Sequence, residues 1–134
     1  MTANDLYIGQ NCVLHRSFTP DEVRQFATLS LDTNPLHTNA EFASHSRFGQ
    51  LIVPGMLSAS LFSAIIGTRL PGNGSIYLSQ NLSFRKPVYP NREVIATVTV
   101  IHIDKEKNRV NLSTTLHDVD GTLLIDGAAL IQLQ

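Results

Sequence analysis

From Ser75 to the C-terminus the apolar residues recur at every second position, and this alternation limits the fold more than any other feature of the chain. Ile76, Leu78, Leu82 and Phe84 mark one long strand, with a bulge expected near Gln80–Asn81. Val94–Ile103, Arg109–Val119 and Thr122–Leu133 continue the pattern. Pro90-Asn91, Lys105–Asn108 and Asp120-Gly121 separate these runs, and Asp-Gly is a two-residue hairpin signal. Ahead of this block the spacing is helical, apart from a short strand over Cys12–Phe18. One strand, then helices, then four long antiparallel strands is an α+β order, and a long sheet of this kind buries its apolar face by wrapping round the longest helix.

Thr19-Pro20-Asp21-Glu22 reads as a helix start, with Thr19 as N-cap, Pro20 in the first turn and Glu22 completing a capping box. That helix is expected to run to about Ser30 and to bury Val23, Phe26, Ala27 and Leu29 or Leu31. Asn39 caps a second short helix containing Phe42 and Ala43, and Ser46–Gly49 forms a loop. Pro54-Gly55-Met56 opens the longest helix, with Pro54 at the first helical position, and the helix ends near Arg69. Ala59, Ser60, Ser63, Ala64 and Gly67 make it thin, so neighbours are expected close on several sides.

The chain has 134 residues, enough for one domain with one core, spanning 1–134. Its net charge of −1 and the lack of a Lys/Arg stripe argue against nucleic acid as the main partner. The longest apolar run, around Leu57–Ile66, is broken by serines and too short to span a bilayer. The first residues lack the basic and apolar regions of a signal peptide. A lone Cys12 excludes an internal disulfide, and the five histidines show no ligand spacing, so no metal site is expected. These features point to a soluble, cytoplasmic protein without a membrane partner.

The chemistry-bearing stretch is Asp32-Thr33-Asn34-Pro35-Leu36-His37. Pro35 fixes its own φ and biases Asn34 away from helix, so the segment bends. A bend can aim Asp32 and His37 into one space, and a carboxylate and an imidazole sharing one water can move protons onto and off a substrate. The same residues are also good turn chemistry, with Asp32 or Asn34 as a cap.

Phe18-x-x-Asp21-x-x-x-x-Phe26, then Asp32-x-Asn34-Pro35-Leu36-His37, Phe42-Ala43 and Ile52-Val53-x-Gly55-Met56, resembles the (R)-specific enoyl-CoA hydratases, or MaoC-like dehydratases. Leu70-Pro71-Gly72-x-Gly74-x-Ile76-Tyr77-Leu78-x-Gln80 extends the resemblance into the strands, so that it covers essentially the whole chain. The resemblance implies a hot-dog fold, a homodimer joined edge to edge, and reversible hydration of trans-2-enoyl-CoA to (R)-3-hydroxyacyl-CoA. Coenzyme A is then part of the substrate, and no cofactor is expected. The same chemistry on an acyl carrier protein thioester is one alternative; a hot-dog thioesterase is another.

By this resemblance Asp32 and His37 act on one water, and the Gly55 N–H receives the charge that builds on the thioester oxygen. The free N–H groups of a helix start suit that task. Asn34 orients one of the pair or the water, or simply forms the turn. Gly55 is glycine for the thioester or for tight packing. Met56, Ala59 and Ile66 read as core or pocket wall, while Ser63 either faces the acyl group or bonds back to its own helix. Along one helix face, Ala59, Ser63 and Ile66 are expected to line the acyl chain, with Ile66 as the stop. Arg85, Lys86, Lys105 and Lys107 read as solvated charges, of which one or two could meet coenzyme A phosphates. Pro54 stands where the family usually has His, Asn39 replaces a common Asp, and Pro90-Asn91-Arg92 replaces a Gly-Asp turn, where Asn tolerates left-handed geometry and a hairpin is still expected.

Overall fold

The alternation after Ser75 becomes a single five-stranded antiparallel sheet. The computed structural model describes all residues, Met1–Gln134. Its elements are β1 (Asn11–Arg16), α1 (Pro20–Ser30), α2 (Pro35–Thr38), α3 (Ala40–Ser44), α4 (Gly55–Thr68), β2 (Ile76–Phe84), β3 (Val94–Asp104), β4 (Arg109–Asp118) and β5 (Leu123–Gln132), preceded by a 3-10 turn at Ala3–Asp5. The strand order is β1-β3-β4-β5-β2. Alternate residues of β3 and β4 are buried, among them Val94, Ala96, Val98, Val100, Leu112 and Leu116. They share one apolar core with Phe62, Ile65 and Ile66 of α4 and with Ile125, Ala129 and Ile131 of β5. Each such aliphatic side chain contributes roughly 1.5–3 kcal/mol by leaving water. The expected α+β architecture, a long helix against a wrapping antiparallel sheet, is what the chain adopts.

Several local expectations are corrected. The bulge in β2 lies at Leu78, between the pairs Tyr77↔Ile131 and Ser79↔Leu130, and not at Gln80–Asn81. Gln80 and Asn81 stay in register because their polar groups find partners there. Gln80 Nε2 donates to Thr114 Oγ1 at 3.0 Å, and Asn81 Oδ1 accepts the Ala128 N–H at 3.2 Å. Pro90-Asn91 is not a hairpin, since β2 pairs with β5 and β3 with β1 and β4. It is a crossover in which Asn91 takes a left-handed φ of 65°. The β4–β5 turn spans more than Asp120-Gly121. The Asp118 N–H donates to the Thr122 carbonyl and the Gly121 N–H to the Asp118 carbonyl, with Gly121 at φ 85°.

Helix α1 starts at Thr19 with both capping-box bonds present. It buries Val23 and Ala27, but Leu29 and Leu31 are 86 % and 83 % exposed. Leu29 sits two residues past Ala27, more than half a turn away from the core-facing stripe. Leu31 is the C-cap at φ 67°, where the chain leaves the helix. Helix α4 buries Ser58, Ala59, Leu61, Phe62, Ile65 and Ile66. Its other small residues, Ser60, Ser63 and Ala64, are exposed, so within one chain α4 is covered from one side only.

Candidate active site

Pro35 decides the local shape. It occupies the first position of α2, which holds His37, while Asn34 caps that turn by accepting the Leu36 N–H at 3.1 Å through its carboxamide oxygen. Asp32 lies just before, exposed, and its Oδ1 accepts the Asn34 N–H at 3.3 Å. Leu31 in its left-handed cap conformation separates Asp32 from α1. The motif is therefore a chain of side-chain-to-backbone turns that projects an imidazole on a one-turn helix.

A strap, Ile52–Val53, ties this turn to α4. The Ile52 N–H donates to the Leu36 carbonyl at 3.2 Å, and His37 Nδ1 meets the Ile52 carbonyl at 2.7 Å. A carbonyl can only accept, so Nδ1 carries a proton and Nε2 is left without a partner. The Val53 N–H donates to the Val88 carbonyl at 2.8 Å, pinning the strap to the segment after β2. Pro54 follows as the N-cap of α4, one position earlier than read from sequence, and supplies no side-chain cap. Gly55 is then the first helical residue, and the leading N–H groups of α4 have no acceptor within the helix.

Gly55 and Met56, at the start of α4, and His37 meet in a cleft of about 470 Å³. Phe48, Ile52 and Met56 line it beside His37 and Gly55, with Phe84, Val88 and Ile125 opposite. Arg47, Arg85 and Lys86 stand at its polar rim, and no acidic residue lines it. Gly55 packs directly on Phe84: a Cβ added there would lie 2.6 Å from the ring. Glycine at this position therefore has a packing reason whatever else it does. An apolar slot with one imidazole and a row of unpaired N–H groups suits a flexible acyl thioester whose carbonyl needs a donor.

The structure brings together His37, Gly55 and Met56 among the residues expected from sequence. It does not bring Asp32 to the cleft wall within one chain, nor join it to His37 by a direct hydrogen bond. Ala59 and Ile66 are buried in the core and Ser63 is exposed, so none of the three lines this cleft. Phe48, Phe84, Val88 and Ile125 were not anticipated as site residues. Their proximity depends on long-range pairing, which no local pattern of the sequence records. No group of His, Cys, Asp and Glu side chains is placed to hold a metal ion. No helix is long and apolar enough to cross a membrane.

Comparison with known proteins agrees with this geometry. Residues 7–121 match the family model described as MaoC like domain. The chain is 44 % identical to the (R)-specific enoyl-CoA hydratase of Aeromonas caviae over 99 % of both chains. It is 43 % identical to a mitochondrial 3-hydroxyacyl-[acyl-carrier-protein] dehydratase of Solanum lycopersicum, over 98 % of this chain and 80 % of that one. The solved (R)-hydratase from A. caviae, described as involved in PHA biosynthesis, superposes with a TM-score of 0.93, covering 96 % of this chain and 98 % of that chain.

Proposed function

This chain belongs to the MaoC-like domain family, and from that premise we propose that it is a hydro-lyase, an (R)-specific enoyl-CoA hydratase. It adds water reversibly to a trans-2-enoyl thioester and forms the (R)-3-hydroxyacyl thioester. The observation that carries the reading is His37, with Nδ1 committed to the Ile52 carbonyl and Nε2 free, on the same cleft as the unpaired N–H groups that begin α4.

In the proposed mechanism Asp32 and His37 hold one water between them. One group takes a proton as the water oxygen bonds to C3, and the π electrons move towards the thioester. That proton is then handed on to C2 as the enolate collapses, so one water is added across the double bond and both groups end in the states in which they began. The transient negative charge on the thioester oxygen rests on the Gly55 N–H. Asn34 positions the pair through the turn it caps. Met56 flanks the thioester; Ala59 and Ile66 border no open space in the single chain, so the acyl chain reaches past Ala59 towards Ile66 only as the core beside α4 opens to admit it, with Ser63 standing to the side. Water is the co-substrate, so the chemistry calls for no cofactor.

The proposed assembly is a homodimer joined through β2. This nine-residue strand lies at one edge of the sheet and exposes Ile76, Tyr77, Leu78 and Phe84. A long apolar edge of this kind favours pairing with a second chain. The exposed Leu29 and Leu31, just before Asp32, are also suited to an interface, which would close the site round the carboxylate.

The test is crotonyl-CoA with purified protein, followed by ultraviolet absorbance and thiol titration. Loss of the enoyl chromophore without release of thiol supports hydration; thiol release would indicate a thioesterase instead. The 43 % identity to a carrier-protein dehydratase keeps that substrate as a second reading, and crotonyl-carrier protein in the same assay compares the two.

A further inference from the structure

The cleft continues into a second depression of about 230 Å³, which shares Lys86, Pro87 and Val88 with it and extends to Tyr89 and Arg92. The charges along this furrow are unequal in a useful way. Arg85 is held by Asp126 at 3.1 Å. Glu93 is engaged by His15 at 3.2 Å, and Asp118 accepts the N–H groups of Asp120 and Thr122 within its own turn. Arg47, Lys86 and Arg92 have no carboxylate partner. Arg92 instead lies over the Tyr89 ring at 4.9 Å, and Arg47 over Phe48 at 5.9 Å. Three uncommitted cations thus follow one path away from His37, with an aromatic ring beside the last.

We propose that Arg47, Lys86 and Arg92 bind the phosphate groups of coenzyme A along this furrow, and that they set a preference for coenzyme A over carrier-protein thioesters. The proposal rests on the hydratase reading above. Arg47 and Lys86, at the rim of the catalytic cleft, meet the diphosphate that ends the pantetheine arm. Arg92, held over the Tyr89 ring in the second depression, takes the 3′-phosphate. Guanidinium and ammonium groups pair well with phosphate oxygens. A carrier protein presents only one phosphodiester and then its own acidic surface. It would leave Arg92 without a phosphate, and it would approach the side where Glu93 and Asp118 lie.

The test compares substrates with and without phosphates. Arg47→Gln, Lys86→Gln, Arg92→Gln and the triple variant are assayed with crotonyl-CoA and with crotonyl-pantetheine, after circular dichroism has established that they fold. Each single change raises KM for crotonyl-CoA by about two- to fivefold, and the triple raises it roughly tenfold or more, the range for exposed charge pairs. The kcat, and all constants for crotonyl-pantetheine, stay within about twofold. The rise of KM with salt flattens in the triple variant. A 3′-dephospho-CoA thioester responds to Arg47→Gln and Lys86→Gln but not to Arg92→Gln. Equal effects on both thioesters, no effect on crotonyl-CoA, or a larger effect on crotonyl-carrier protein would overturn the proposal. If wild type hydrates neither thioester, the hydratase reading fails instead. Calorimetric titration with free coenzyme A then decides the subsite: weaker binding by the triple variant supports it, and unchanged binding overturns it.

Discussion

At the scale of single residues, the site depends on what each group is already bonded to. His37 is committed on its Nδ1 side to Ile52, which leaves one nitrogen for chemistry. Gly55 has no Cβ because the Phe84 ring occupies that space. Gly55→Ala is therefore expected to push the ring and tilt the first turn of α4. The predicted result is a fall in kcat of at least about tenfold, since a displaced oxyanion donor is worth 10²–10³. Steady-state kinetics on the folded variant check this, and unchanged turnover would separate Gly55 from the chemistry. The turn that carries Asp32, Asn34 and His37 was legible in the sequence because the three lie within six residues and proline forces the bend. Phe48, Phe84 and Ile125 were not, because no local pattern encodes which distant side chains a fold brings to one wall.

At the scale of elements, helix boundaries were readable wherever caps were written into the sequence. Thr19 and Glu22 form both bonds of their box, and Asn39 caps α3 through the Phe42 N–H. The Thr19 backbone N–H holds the Glu22 carboxyl below the usual glutamate range, with help from the Arg16 side chain. A carboxylate with a lowered folded pKa contributes stability above its unfolded pKa, and that contribution is lost as pH falls through the lowered folded value. Glu22→Gln is thus predicted to reduce stability near neutral pH and to make stability less dependent on pH below about pH 4. Urea titrations at pH 7 and pH 3 would show it; an equal loss at both would mean that charge plays no part. Helix α4 was read correctly as the longest, but not the way its small residues face. Ser60, Ser63 and Ala64 point to solvent in the single chain, because spacing alone does not say which side of a helix the sheet will cover. Ile66, in contrast, is buried at the end of the proposed acyl path. Ile66→Ala should lower stability by about 2–5 kcal/mol while raising kcat/KM for C8 relative to C4 enoyl-CoA. Each further methylene accommodated adds about 0.8 kcal/mol, close to fourfold. An unchanged chain-length profile in the folded variant would place the end of the pocket elsewhere, with Ile131 on β5 the next residue to test.

At the scale of the whole molecule, the sheet order puts β2 at an edge and leaves its apolar face uncovered. Sequence alternation revealed the strands, but strand order follows from long-range pairing, and so Pro90-Asn91 read as a hairpin where the chain in fact crosses over. In the proposed dimer that edge is paired. Leu78→Lys is then expected to shift the light-scattering mass from twice the chain mass to once, with activity lost in parallel. A wild type that is already monomeric and active would remove the dimer from the account. The proposed dimer also supplies what the single chain lacks, a closed space in which exposed Asp32 and half-buried His37 share one water. The most direct test of that pairing is the rate of crotonyl-CoA hydration by wild type, Asp32→Asn, His37→Gln and the double variant, with chiral analysis of the product. The prediction is (R)-3-hydroxybutyryl-CoA from wild type and a kcat lower by about 10²–10⁴ in each single variant. The double variant should lose far less than the product of the two losses, because both groups serve one proton exchange. Near-normal turnover in either folded single variant, or an (S) product, would contradict the account.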